Sequence, residues 1–585
     1  MISEYPIPQK TLTQQGLLFI ISTLLMPILL FLLVLPYPWA SLPGEGLSLT
    51  LNLITWVWVG LWALFLCWLL VKRKFRMGRL ECSLVIGALL MSVPYFWTQS
   101  AFKSAALYRL AGIWALLLIF LLLRQFSVRG RVRHRIYGVI AIAGLIQTLL
   151  AFWQIEYPTS AGESLGYSFT AASGRPIGSL LQVNLLGSFL ASALLCALLL
   201  AMTLPSTVKS RFYWVSVLVL SAGLVMTQSR SAWLGATMGG GILLLYSRIH
   251  WRSKSFAVLL LCSGVVAGNI ALVERMPLIT PAAVKTADAR PSGTNERLIW
   301  NRRQSGNERL TMFEGALAMI KEKPLSGYGL ATFEVEFPRA LERNNIANPF
   351  TVTVKYPHNE ILYVWAEGGV VALIGLTMWL YGVLLPFRTS WNRTTVLKGA
   401  LLLPLIVHLL TEFPLYLSAV HGVLMIILLW LALPVAKRSK ASHPVMGKCS
   451  AFILSGIAVL SFTGVIFSTT GLQSAIKIRS AEQLQIMDLS SLDEVSNVLA
   501  QHDKLLFDKA IASLMLFNSS RDSSWLLRFQ EQAGEWLSLH NDANLTVTMM
   551  QIAAAEKNDN EVQRWRHRGC LSYAKDPRFK CQFIH

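Results

Sequence analysis

Apolar runs of about twenty residues recur along most of the chain, separated by short polar segments. They fall at about 15–36, 48–71, 80–97, 104–123, 136–155, 179–204, 212–228, 231–247, 255–273, 359–386, 399–416, 419–434 and 450–469. Each is close to the roughly 20 residues that a helix needs to cross a bilayer. The pattern predicts an all-α, polytopic helical membrane protein with about 13 transmembrane helices. The first run is longer than a signal-peptide core and no small-residue cleavage site follows it, so it reads as a retained span.

Two regions break this rhythm and divide the chain into 1–273 (spans 1–9), 274–357 (a long polar loop), 358–469 (spans 10–13) and 470–585. In the loop, the stretch around "TADARPSGTNERLIWNRRQSGNERL" reads as irregular. The segment Glu308–Pro324 carries apolar residues at Leu310, Phe313, Leu317 and Ile320. That stripe predicts an amphipathic helix lying on the membrane surface and stopped by Pro324. Gly327 and Gly329 then predict a turn. Residues 470–585 show helical periodicity over a length sufficient for a small α-helical domain.

Composition agrees. Only 14% of residues are charged and the mean hydropathy is +0.51, against about 25% charged in soluble domains. The net charge of +21 raises nucleic acid as a partner, but its distribution argues otherwise. Segments 72–79, 124–135, 205–211, 248–254, 387–398 and 435–448 hold 22 Lys and Arg and no Asp or Glu. The short loops on the other side hold 3. This is the positive-inside pattern: it predicts a cytoplasmic N-terminus, with the 274–357 loop and the C-terminus outside. Among seven cysteines no metal-binding spacing occurs, so neither metal nor cofactor is expected. Cys570 and Cys581 both fall in the exported tail, where a disulfide is chemically allowed, but their spacing leaves the geometry open.

Charged groups beside spans are costly and therefore candidates for function. Arg175, Arg230, Lys355, His358, His408 and Glu412 all fall at the outer ends of spans. Each has a simpler reading: an Arg snorkelling to head groups, a His capping a helix, or a His408–Glu412 pair satisfying itself at i, i+4. Their joint placement on one side favours chemistry. Guanidinia match the oxygens of a diphosphate, and an imidazole titrating near neutrality can accept a proton from a hydroxyl. A cationic clamp beside a base suits transfer of a group from a lipid diphosphate to an alcohol, the clamp stabilising the leaving diphosphate.

"SRSAWLG", "HNEILYVWAEGG" and "ERLTMFEGALAMIKEKPLSGYGLATF" resemble the O-antigen ligase / O-antigen polymerase superfamily of bacterial inner-membrane glycosyltransferases. "RPIGSLLQVNLLGSF" and "HLLTEFPLYLSAVH" are similar to its protein O-oligosaccharyltransferases, the PglL type. The resemblance covers roughly residues 140–585 and implies a GT-C-like fold and a periplasm-facing site in the inner membrane. It also implies an undecaprenyl-diphosphate-linked glycan as donor and an inverting, metal-independent transfer. By position His358 matches the family's essential histidine, and Arg175, Arg230 and Arg309 match arginines that hold the diphosphate. Gln182, Asn184, Lys355, Asn359, Glu367, His408 and Glu412 are supporting residues. Where the PglL branch reads Gln-Pro-Asn, this chain has Gln182-Val183-Asn184.

The expected acceptors are Ser or Thr hydroxyls of exported, pilin-like proteins. The alternatives are ligation to lipid A–core and repeat-unit polymerisation. A flippase or transporter would instead place charges near the midplane and repeat its topology inverted, which the sequence does not do.

Overall fold

The computed structural model describes residues 14–581 except 43, 72, 74, 129, 206–207, 274–293, 390–391, 434–442, 445–446 and 484–488. The first part of the polar loop and most of the basic segment 435–448 therefore lie outside the described residues.

The chain is an all-α polytopic membrane protein. In order, the membrane half comprises α1 (Gln14–Ile28), α2 (Thr50–Leu70), α3 (Arg79–Ser92), α4 (Lys103–Arg124), α5 (Gly130–Glu156), the short α6 (Pro158–Leu165), α7 (Val183–Thr203), α8 (Val208–Met226), α9 (Arg230–Tyr246) and α10 (Trp251–Val273). Then come α11 (Thr294–Glu322) and α12 (Phe333–Arg343), followed by α13 (Glu360–Thr389), α14 (Arg393–Gly399), α15 (Leu403–Thr411), the one-turn α16 (Pro414–Leu417), α17 (Ala419–Ala432) and α18 (Gly447–Gln483). Eleven helical stretches among the described residues are long and apolar enough to span a membrane. The spans expected at 231–247 and 419–434 correspond to shorter helices, α9 of 17 residues and α17 of 14.

The centre of the bundle is α7, with side chains buried all round. A helix apolar on every face can only be a core helix, and small residues let its neighbours close in. At Gly187, for instance, an added Cβ would sit 2.8 Å from the Ser229 Cβ and 2.9 Å from that of Ala232.

The polar loop folds differently from its sequence reading. The helix expected to begin at Glu308 already runs from Thr294, because no glycine or proline interrupts Thr294 to Ser305 and Gly306 alone costs little. Its apolar stripe is divided: Leu317 and Ile320, with Ala316 and Met319, pack with Phe337 and Leu341 of α12 and Tyr363 of α13, while Leu310 and Phe313 are exposed.

Behind it, the Gly327–Gly329 turn docks into a break in α13. Gly369 sits at φ +64 and ψ −166, interrupting the helix. The carbonyls freed there are taken up by the turn: Tyr328 N–H donates to Ala366 O (3.0 Å) and Gly329 N–H to Glu367 O (2.9 Å), while Val370 N–H donates back to Pro324 O (3.0 Å). A Cβ on Gly369 would lie 2.1 Å from the Leu325 carbonyl oxygen, so only glycine fits.

The 37-residue α18 carries the chain into a second helical body: α19 (Leu489–Asp493), α20 (His502–Ser520), α21 (Ser523–Leu539), α22 (Ala543–Ala555) and α23 (Asp559–Ser572). Its core holds Phe529, Leu537, Leu545, Met549 and Trp565. Asp522, Asp542 and Asn558 cap successive helices by accepting from Ser524, Leu545 and Glu561 N–H. Cys570 and Cys581 are joined in a disulfide.

This body docks on α12 through Glu334. Its carboxylate accepts from Asn541 N–H (2.8 Å) and meets His540 Nδ1 (3.2 Å), while His540 Nε2 faces Asp503 Oδ2 at 3.3 Å. Burial lowers the His540 pKa, but the hydrogen bonds to Asp503 and Glu334 outweigh it and lift it to about 9.

Two outcomes follow. Gly369→Ala should cost roughly 1–2 kcal/mol for the left-handed backbone alone, with more from the clash; thermal unfolding in detergent measures it. Gly456→Ala, in α18 with nothing within 4 Å, should not lower the midpoint. His540 binds its proton more tightly folded than unfolded. Its stabilisation is thus complete below about pH 6.5 and lost as pH rises through about 9. Hydrogen exchange across 540–541 should accelerate over that window, and less so in His540→Gln.

Candidate active site

The ends of α7, α13 and α15 meet the middle of α11, at Arg309, at one rim of the bundle. Left-handed backbone at non-glycine residues recurs there: Ser173, Leu181, Gln228 and His358 all have φ between +52 and +62. These positions lie beside Arg175, Gln182 and Arg230 or are the candidate base itself, and such strain persists only where surrounding structure imposes it.

His358 immediately precedes α13. The next residue, Asn359, caps that helix, its Oδ1 accepting from Ile361 and Leu362 N–H at 3.1 Å each. Its Nδ2 donates to Leu410 O of α15 at 3.2 Å. The cap thus fixes where the imidazole emerges relative to the end of α15. The His358 ring stands edge-on to Phe413, with centroids 5.0 Å apart. Its Nδ1 is buried with no hydrogen-bond partner among the described residues. Burial lowers its pKa below the usual value; Glu412 opposes this and Arg309 adds to it. The ring is consequently neutral at pH 7 and has a free lone pair.

Glu412 gathers the rest. α15 ends at Thr411, and Glu412 takes extended backbone (φ −158, ψ −162), because Pro414 two residues later cannot continue the helix. The carboxylate, in a residue 5% exposed, accepts from Asn184 Nδ2 and meets His408 Nε2 at 3.4 Å and Arg309 Nη2 at 3.6 Å. It also acts on Arg175, whose pKa burial lowers and Glu412 raises. His408, Glu412, Asn184, Arg309, Arg175 and His358 therefore share one electrostatic environment.

Other expected residues stand apart. Arg230 opens α9, is exposed, and forms no ion pair among the described residues. Its neighbour Ser229 packs on α7 at Gly187, one turn from Asn184. Gln182 precedes α7 with its Oε1 buried and unpartnered. Val183 holds the first position of that helix, where a proline would fit equally well, so the Gln-Val-Asn variant keeps the bend. Lys355 faces Glu45 at 3.8 Å and lines the large cavity, which His358 does not.

Glu367 lies at the helix break instead of the rim. Fully buried, it pairs with Arg109 and accepts from Ala331 N–H (3.0 Å) and Phe333 N–H (3.1 Å). The sequence reading passed over Arg109, although a lone charge inside the apolar run 104–123 is its signal. It also passed over Ser188 and His421, both fully buried and inconspicuous within apolar runs.

A cavity of about 1110 Å³ opens between α2, α4, α13 and α17 under the second helical body, lined by Glu45, Arg109, Lys355 and Tyr356 near its mouth and by Phe120 and Trp379 deeper in. It is not lined by His358, Arg175, Arg309 or Glu412. The stacked rings of Tyr356 and Phe413, 4.2 Å apart, stand between. Volume alone would point to this cavity; the convergence of charge points to the rim.

Residues 214–377, which include Arg230, Arg309 and His358, match the family described as O-antigen ligase. Residues 396–533, which include His408, Glu412 and His421, match the family described as virulence factor membrane-bound polymerase, C-terminal. A general O-oligosaccharyltransferase of Acinetobacter baylyi (strain ATCC 33305 / BD413 / ADP1) is 23% identical over 392 residues, or 65% of this chain and 63% of that protein. The match thus spans less than two thirds of that relative. With these two matches on an all-α membrane bundle that gathers their conspicuous polar residues at one rim, the chain is similar to the O-antigen ligase superfamily and, within it, to the PglL-type oligosaccharyltransferases.

Proposed function

We propose that the protein transfers a glycan from an undecaprenyl diphosphate carrier to Ser or Thr hydroxyls of exported proteins, at the periplasmic face of the bacterial inner membrane. The observation that carries this reading is the meeting of a neutral imidazole, its Nδ1 without a hydrogen-bond partner among the described residues, with guanidinia around the Glu412 carboxylate. His358 Nδ1 takes the proton of the acceptor hydroxyl while its oxygen attacks the anomeric carbon. The bond from that carbon to the diphosphate oxygen breaks, and the lipid diphosphate leaves with the electron pair. Attack from the face opposite the leaving group inverts the anomeric centre. Glu412 balances the imidazolium that forms, and Arg175 and Arg309, with Arg230 at the open side, stabilise charge on the departing diphosphate. The basic loops on the opposite side support a cytoplasmic N-terminus.

The similarity to a general O-oligosaccharyltransferase supports a protein acceptor, and the O-antigen ligase match keeps lipid A–core as the second reading. Expressing the chain in cells that make a lipid-linked glycan separates them. Glycan should appear on exported protein, and its appearance on lipopolysaccharide alone would select ligation.

His358→Ala should reduce transfer by roughly 10²–10⁴-fold, the usual worth of a positioned base. The wild-type rate should hold down to about pH 6.5 and fall only below it, since the imidazole is held neutral. Replacing Arg175 or Arg309 with Lys should raise the donor KM roughly tenfold, because an ammonium loses the paired donors of a guanidinium; titrating a polyprenyl-diphosphate-linked disaccharide measures this.

A further inference from the structure

Behind Glu412 lies a line of buried polar groups with no part in the transfer as written. His408 Nδ1 is 2.7 Å from Ser188 Oγ, which is 3.1 Å from His421 Nε2, and His421 Nδ1 is 2.9 Å from Ser418 Oγ. Ser188 and His421 are fully buried and His408 is 1% exposed. Four hydrogen-bonding side chains from α7, α15, α17 and the turn before α17 thus end on the carboxylate at the rim.

Hydrogen-bond chemistry gives this line a direction. His421 Nε2 also lies 3.0 Å from the Leu185 carbonyl, which can only accept, so Nε2 carries the His421 proton and Nδ1 accepts from the Ser418 hydroxyl. At the other end His408 Nε2 faces Glu412, and an ionised carboxylate can only accept. The charged and titratable groups facing Glu412 are Arg175, Arg309, His358 and His408. With two guanidinia present, a second proton on buried His408 would add uncompensated positive charge. A neutral His408 that donates through Nε2 must accept at Nδ1, and the donor 2.7 Å away is the Ser188 hydroxyl, whose other acceptor, the Leu185 carbonyl oxygen, lies farther off at 3.2 Å. Every proton in the chain then points toward Glu412.

We propose that Ser418, His421, Ser188 and His408 form a one-way hydrogen-bond relay that holds the Glu412 carboxylate in place beside the base, making Ser188 and His421 positioning residues for the glycan transfer proposed above. No proton need travel along it. The relay fixes the His408 tautomer, and that tautomer supplies the carboxylate with a donor that no other residue replaces.

The test uses the full chain, purified in detergent, with a polyprenyl-diphosphate-linked disaccharide as donor and a periplasmic protein fraction as acceptor. Ser188→Ala should lower kcat roughly tenfold, the upper end of what one hydrogen bond between uncharged groups is worth, with the donor KM unchanged. The ¹⁵N shifts of His408 should change in that variant, because the hydroxyl that fixes its tautomer is gone. Ser188→Thr, which restores the hydroxyl, should recover both the rate and the shifts. A purely structural role would lower rate and stability together and leave the His408 shifts where they were, and that result overturns the proposal. In the unsubstituted protein labelled with ¹⁵N-histidine, His408 should show a protonated Nε2 and a bare Nδ1. A proton on Nδ1 overturns the relay whatever the variants do. If the unsubstituted protein transfers no glycan, the functional reading falls, while the nitrogen shifts still decide the relay.

Discussion

The fold turns on one buried carboxylate. Glu367 sits where α13 is broken at Gly369, and it accepts from the backbone of the loop that fills the break while pairing with Arg109 from α4. Removing two charges from water is expensive unless each is fully satisfied. Here the Arg109 guanidinium also lies 4.2 Å from the Tyr363 ring and 4.9 Å from that of Tyr416, and Tyr416 passes a 2.7 Å hydrogen bond to Glu360. Span, loop and rim are locked through a set of groups that tolerate no alternative partner. Without that lock the polar loop would have no reason to return to the membrane at one defined place, and His358 follows directly from where it returns.

At the rim the electrostatic logic is different. Glu412 faces more positive than negative charge, and His358 stays neutral because burial, with Arg309 close by, disfavours a second proton there. An imidazole that is neutral near pH 7 beside two guanidinia is a set of opposing demands met by one carboxylate. The large cavity lies behind the aromatic wall of Tyr356 and Phe413 and shares none of this charge.

Much of this was readable in the chain. Membrane helices announce themselves because hydrocarbon tolerates nothing but continuous apolar runs, and the i, i+4 spacing of His408 and Glu412 placed them on one face before any coordinates. What escaped depended on partners remote in sequence. Glu367 was known only as a supporting motif position, because nothing local reveals that its partners are Arg109 and the loop at 331–333. Lys355, three residues from His358, was grouped with it, yet its partner is Glu45, more than 300 residues away in sequence. Ser188 and His421 gave no signal, since a serine and a histidine inside apolar helices read as filler until their rings and hydroxyl are seen in line. The extent of α11 was missed for another reason: polarity was taken for irregularity, although a polar stretch free of glycine and proline folds readily once one end is anchored.

The continuous α18 has a mechanical consequence. At about 1.5 Å per residue, its 37 residues make a strut roughly 55 Å long, lying along α2 and running on to the second helical body. A strut without a hinge transmits tilt as well as position. The helices of that body therefore ride at a set height and angle over the bundle, a fixed canopy above the mouth of the large cavity.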